Sequence, residues 1–178
     1  MNRVLKKGLL VFLLAAPACG GSPELAKQTF VVELGADVYA NPNLYIKDGT
    51  DVDTAGMEVV CLSPGVQKVD NRFVSAGHDY LVSGEYDCVL KKGQEELPFM
   101  LKVKDTLPPS CKAQPENVET TIGIMPDWVS VFEAADLSGV SCSAPASAVE
   151  ERGERDLEVT LSDRFGNSVV KTVHLTVR

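Results

Sequence analysis

Histidine is almost missing from this 178-residue chain: it has two, His78 and His174. That scarcity removes most schemes for general acid–base or nucleophilic catalysis, which need a base within reach of a nucleophile. No Gly-x-Ser-x-Gly elbow is present. Phosphate-loop and dinucleotide glycine patterns are missing too. His78 lies in Gly77-His78-Asp79, which reads as a turn, and His174 falls inside an alternating strand. The acidic pairs Glu95-Glu96 and Glu150-Glu151 sit in charged, turn-rich stretches and read as solvated. No Cys-x-x-Cys pair occurs, so the cysteines do not have the spacing of a zinc site. The expectation is a protein without catalytic machinery and without a bound cofactor, calcium excepted as discussed below.

The chain also lacks an apolar run of the roughly 20 residues that cross a bilayer. The longest, "LLVFLLAA", is short and follows Arg3, Lys6 and Lys7 with no acid among them. A basic start, a short apolar stretch and small residues before a cut describe an export signal over residues 1–18. "AAPAC" resembles the lipobox of bacterial lipoproteins, in which the cysteine becomes the lipidated N-terminus; here that is Cys19. Ala16 and Pro17 depart from the usual pattern, and "APA" also satisfies ordinary signal cleavage. Residues 19–28, "CGGSPELAKQ", read as a tether that holds a domain off a surface. The cysteine count supports lipidation. Five is odd for an exported chain, and assigning Cys19 to lipid leaves four to pair. The expected location is the bacterial cell envelope, outer membrane or cell surface, with the membrane reached through the lipid. Without lipidation the chain would be secreted or periplasmic.

Positive charge is scarce as well. The formal net charge is −8, and loss of the three bases of the signal takes it to −11. A chain this acidic repels phosphate backbones, which argues against nucleic acid as a partner.

Helical periodicity is weak throughout. Short β-branched or alternating runs recur instead: "TFVVEL", "LYIKD", "MEVVCL", "DYLVSGEY", "PFMLKVK", "WVSVFEA", "LEVTLS" and "VVKTVHLTV". Turn residues separate them, the pattern of an all-β sandwich or barrel. In the last run Val169, Lys171, Val173, Leu175 and Val177 share one face.

The pattern repeats. "DTAGMEVVCLSP" from Asp53 and "DLSGVSCSAP" from Asp136 both run Asp-x-x-Gly, strand, Cys, then Pro three residues on. A Gly turn with a strand follows in each half, and each half closes on a Gly-centred turn and a last strand. Between the halves lies "KVKDTLPPSC". Two prolines in a row remove two backbone donors, so this segment does not belong inside a sheet. It reads as an extended linker between two domains, residues 29–104 and 105–178.

"DTLPPSCKAQPENVE", "DLSGVSCSAP" and "LSDRFGNSVVKTVHLTV" resemble bacterial Ig-like repeats and the hyalin-type repeats of extracellular proteins. The resemblance covers Asp105 to Arg178 well and the first half more loosely, since Lys92-Gly93-Gln94 lacks the Asp and Asn of the final turn. It implies two tandem immunoglobulin-like β-sandwich domains used as a spacer, adhesion, protein-binding or carbohydrate-contact module. The partners would be envelope or extracellular proteins, or glycan. An accessory or inhibitor subunit of an envelope enzyme is the other reading, with Gln67 to Ala76 as its protruding loop.

Export favours oxidation of the four remaining cysteines. Of three connectivities, Cys61 with Cys88 and Cys111 with Cys142 keeps both bridges inside domains. Asp48, Asp51 and Asp53 in "KDGTDVD" offer hard oxygen ligands at Asp-x-Asp spacing and are the sequence's calcium candidates, although the later Glu of an EF-hand loop is missing. Trp128, the only tryptophan, would stack on a sugar ring if exposed with Tyr39 or Tyr45, or fill the core if buried.

Overall fold

The computed structural model describes residues 22–49 and 52–178. The protein is all-β and built as two immunoglobulin-like units. In the first, β1 (Thr29–Glu33), β2 (Met57–Cys61), β5 (Gly84–Lys92) and β6 (Glu95–Lys104) form one sheet in the order β1-β6-β5-β2. β1 runs parallel to β6 and the other pairs are antiparallel. The hairpin of β3 (Val66–Val69) and β4 (Arg72–Ser75) forms the second layer, extended by a bridge from Tyr39 to Arg72.

The second unit repeats this plan. β8 (Asn117–Thr120), β10 (Ser141–Ser143), β11 (Gly153–Ser162) and β12 (Ser168–Val177) form a sheet in the order β10-β11-β12-β8. Its first strand is again parallel to its last. The short strands β7 (Ser110–Cys111) and β9 (Ala134–Ala135) pair separately. Among the described residues no strand pairing crosses Asp105–Pro109.

Alternation explains the strands. Phe99, Leu101 and Val103 of β6 are buried, and so are Leu157, Val159 and Leu161 of β11 and Val173, Leu175 and Val177 of β12. Each unit has its own core. The first gathers Val59, Leu81, Leu90 and Leu101 around edge contacts of Phe30 with Tyr45 and Phe99 at 5.0 and 5.4 Å. The second gathers Trp128, Phe132, Val159 and Leu175. Pro98 is tolerated inside β6 because its nitrogen faces the side where β1 has not yet begun; β1 first pairs at Met100.

Three sequence expectations are corrected. "WVSVFEA" is not a strand: Trp128–Val131 is a single helical turn, capped by the Asp127 carboxylate, which accepts from Ser130 Oγ at 2.6 Å. The stretch Gln67 to Ala76 is not a free loop. It is the β3–β4 hairpin, turned by Asp70 and Asn71 at φ 48° and 61°, the paired positive φ of a tight two-residue turn. In the second unit a 3-10 turn at Ala146–Val149 stands in its place, which accounts for the unequal loop lengths of the repeat. Finally, "LYIKD" forms no strand: Ile46 bridges to Leu25, the Tyr45 carbonyl accepts from Ala26 N at 2.8 Å and Lys47 N donates to the Glu24 carbonyl at 2.9 Å, so residues 24–26 of the expected tether lie against the first unit.

Candidate metal centre at the junction

The end of the second unit that meets the first is built from the linker and two turns. The linker follows β6 and starts at Asp105. The next follows β9 and starts at Asp136, whose Oδ1 accepts from Ser138 N and Ser138 Oγ, both at 2.8 Å. The last is the β11–β12 hairpin. There Asp163 Oδ1 accepts from Phe165 N at 2.8 Å and Asn167 N at 2.9 Å, and Oδ2 accepts from Asn167 Nδ2 at 2.6 Å. Gly166, at φ 89°, takes the left-handed position that this turn requires. Asn167 Nδ2 also donates to the Asp105 carbonyl at 3.1 Å, which ties the linker to the hairpin.

The linker and these two turns bring one carboxylate oxygen each from Asp105, Asp136 and Asp163 within 4.8 Å of one another. Asp163 is 6% exposed, and Asp105 and Asp136 are half-buried. Asp105 Oδ2 is closed off from solvent and has no hydrogen-bond partner. None of the ion pairs among the described residues reaches any of the three. Burial is the largest influence on Asp163 and acts to raise its pKa. Hydrogen bonds from Asn167, Phe165 and Gly166 together outweigh it and hold the group below the usual carboxylate range. Three carboxylates therefore converge without an ion-pair partner among the described residues.

The residues fit a hard divalent cation. Two oxygens bound at about 2.4 Å to one ion lie at most about 4.8 Å apart, and calcium takes carboxylate oxygens in a flexible shell at such distances. No thiol or imidazole belongs to the cluster, so soft-metal chemistry is not suited to it.

The same turns carry the contacts between the units. Leu137 follows Asp136, and its Cδ1 lies 2.6 Å from where a β-carbon on Gly35 would stand. Gly35 has φ 82°, a conformation that favours glycine, and a side chain there would also have to displace the Leu137 methyl. Phe165 follows Asp163 by two residues and borders a cleft with Ser83, Gly84 and Lys102 to Asp105 of the first unit and linker. Glu33 at the end of β1 holds the linker as well, accepting from Thr106 N at 2.7 Å and Thr106 Oγ1 at 2.6 Å. These bonds lower the Glu33 pKa.

The sequence-predicted residues fare differently. Cys19 and Asp51 lie outside the described residues. Asp48 is exposed, and Asp53 is engaged in its own turn, with Oδ1 accepting from Ala55 N at 2.9 Å. The reading of Trp128 as a ligand contact is overturned. It is 1% exposed, stacks on Phe132 at 6.1 Å and donates Nε1–H to Met125 Sδ at 3.2 Å, so it offers no face to a sugar. Cys61, Cys88, Cys111 and Cys142 are all thiols in this structure. Cys61 and Cys88 face each other across β2 and β5, whereas Cys111 and Cys142 belong to strands of different sheets. His78 is exposed beside Tyr80, and His174 bonds Asp156 through Nδ1 at 2.9 Å, which raises its pKa. The Asp105, Asp136 and Asp163 cluster did not emerge from the sequence. Its signal was there in one form: Asp136 and Asp163 open turns that mark the second half of the repeat, and Asp105 opens the linker before it.

No protein-family model matches this sequence, and no curated relative matches it. Solved structures align loosely. The insect immune protein hemolin is 12% identical, with 92% of this chain and 48% of that chain covered and a TM-score of 0.40. The titin I-band fragment I67–I69 is 14% identical, covering 88% of this chain and 65% of its own, with a TM-score of 0.34. An endo-fucoidan hydrolase of glycoside hydrolase family 107 aligns at 12% identity over 92% of this chain and 29% of its own, with a TM-score of 0.29. The chain thus spans less than two thirds of each. At this looseness the fold stands on the strand order of the chain itself.

Proposed function

We propose that the protein is a non-enzymatic module of the bacterial cell envelope, anchored by lipid on Cys19, in which two Ig-like units act in series as a spacer and protein-binding arm. Calcium held by Asp105, Asp136 and Asp163 sets the angle between the units. The observation that carries this reading is the double duty of two turns. Asp136 and Asp163 lie in the turns whose Leu137 and Phe165 reach the first unit. An ion that orders these turns orders the docking with them.

The first unit offers a contrast. Its landmark turn keeps Asp53, but its last turn, Lys92-Gly93-Gln94, has no acid in the place of Asp163. That unit closes its sheet with the same strand order, and no equivalent cluster occurs among its described residues. The acidic cluster therefore serves the junction rather than the fold. Anchoring rests on the export signal and on the even number of cysteines left once Cys19 is assigned.

Calcium titration of the full chain by calorimetry is the test. One site is expected, lost in Asp105→Asn and Asp163→Asn. Heat unchanged by those substitutions would remove the site. Intact mass after detergent extraction checks the anchor separately: acylation at Cys19 is expected, and a mature chain starting elsewhere would refute it.

A further inference from the structure

Cys61 ends β2 and Cys88 lies within β5, directly opposite in the register. Leu62 N donates to the Asp87 carbonyl at 2.7 Å. Residues 62 and 87 thus form a bonded rung, and Cys61–Cys88 is the narrow, non-bonded rung next to it. The Cα atoms of such a rung stand about 4.5 Å apart with side chains on one face. That is at the short limit of what a disulfide spans. The staple of an immunoglobulin domain joins two sheets across the core. This pair joins neighbouring strands of one sheet and adds no link between the layers.

The two thiols differ in access. Cys88 is 1% exposed and packed in the core. Cys61 is half-buried on β2, the edge strand, and opens onto a cleft with Glu58, Val66, Lys68 and Phe73. The hydrogen bond from Cys88 holds the Cys61 thiol down to about 7. The same hydrogen bond, with burial, pushes the Cys88 thiol up.

We propose that Cys61 and Cys88 form a thiol–disulfide exchange site, with Cys61 the attacking sulfur and Cys88 the resolving one, acting on the disulfide of a small molecule or of a partner protein. The Cys61 thiolate attacks one sulfur of the incoming disulfide, forms a mixed disulfide and expels one thiolate. Cys88 gives up its proton and attacks the Cys61 sulfur, which closes the Cys61–Cys88 bond and expels the second thiolate. The protein loses two electrons and two protons; the incoming disulfide gains the electrons, and its two thiolates take the protons. A bond with one sulfur reachable from an edge is open to attack by an external thiolate and reopens by the reverse path.

The test uses the reduced full chain with oxidised glutathione at pH 7, acid quenching, alkylation and peptide mapping. The expected first product is a Cys61–Cys88 linked peptide, ahead of any product at Cys142 even though Cys142 is exposed. Cys88→Ser should trap glutathione on Cys61. Cys61→Ser should slow modification of Cys88 at least tenfold. Because either substitution alters a packed sheet, alkylation of the unsubstituted chain gives an independent reading: Cys61 should label at lower pH than Cys142. Glutathione appearing first on Cys142, or Cys61 labelling only above about pH 8.5 as an ordinary thiol does, would overturn the assignment.

Discussion

Single side chains decide whether this chain exposes a ligand-binding face or hides it. Trp128 shows the limit of residue type as a guide. An aromatic in a β protein suits either a sugar-binding surface or a core, and only the one-turn helix at Trp128–Val131 sends it inward. That helix was illegible as such because its β-branched valines favour strands, and the Asp127 cap overrides them locally. Trp128→Ala should destabilise the second unit by about 3–5 kcal/mol, as loss of a large buried aromatic does. Denaturant unfolding followed by amide signals from each unit checks this; equal loss in both units would contradict the separate cores. Glu33 gives a pH prediction. Its bonds from Thr106 lower its folded pKa below the unfolded value. Its contribution is therefore complete above the ordinary carboxylate pKa and fades as pH falls through the folded value. The Thr106 amide shift in an NMR titration should follow the Glu33 carboxyl, and a flat Thr106 response would refute the tie.

At the level of elements, the last two strands were the most legible, because strict alternation in "VVKTVHLTV" leaves no other face to bury. The β3–β4 hairpin was missed. Its turn is Asp-Asn rather than the stronger Asn-Gly or Asp-Gly signal, and its strands are short. The β11–β12 hairpin depends on Gly166 at φ 89°. Gly166→Ala should cost the second unit about 1 kcal/mol or more, since alanine at positive φ is strained. It should also weaken calcium binding, because Asp163 and Asn167 share that turn. Thermal melts with and without calcium measure both effects; unchanged melting in each condition would show that the turn geometry is not required.

For the molecule as a whole, the repeat and the Pro108-Pro109 linker were readable because turns and prolines are local signals. The acidic cluster was not. It exists only when the linker and two turns distant in sequence meet at one end of a sandwich. Its members look, one by one, like the aspartates of ordinary turns. The "KDGTDVD" run drew attention instead because its acids are close in sequence. If calcium binds the folded junction alone, an excess of about 100 times its Kd stabilises that state by about 2.7 kcal/mol. Gly35→Val should leave both cores intact yet loosen the docking of Leu137, seen as faster independent tumbling of the two units by NMR relaxation. Unaltered tumbling would mean that this contact does not hold the units together.

A cation at Asp105, Asp136 and Asp163 is proposed to fix how the two units are oriented. Residual dipolar couplings measured on the full chain, first with calcium and then with a chelator, test it most directly. One alignment tensor shared by both units is expected with calcium, and two distinct tensors once it is removed. Tensors that stay the same in both conditions would contradict it.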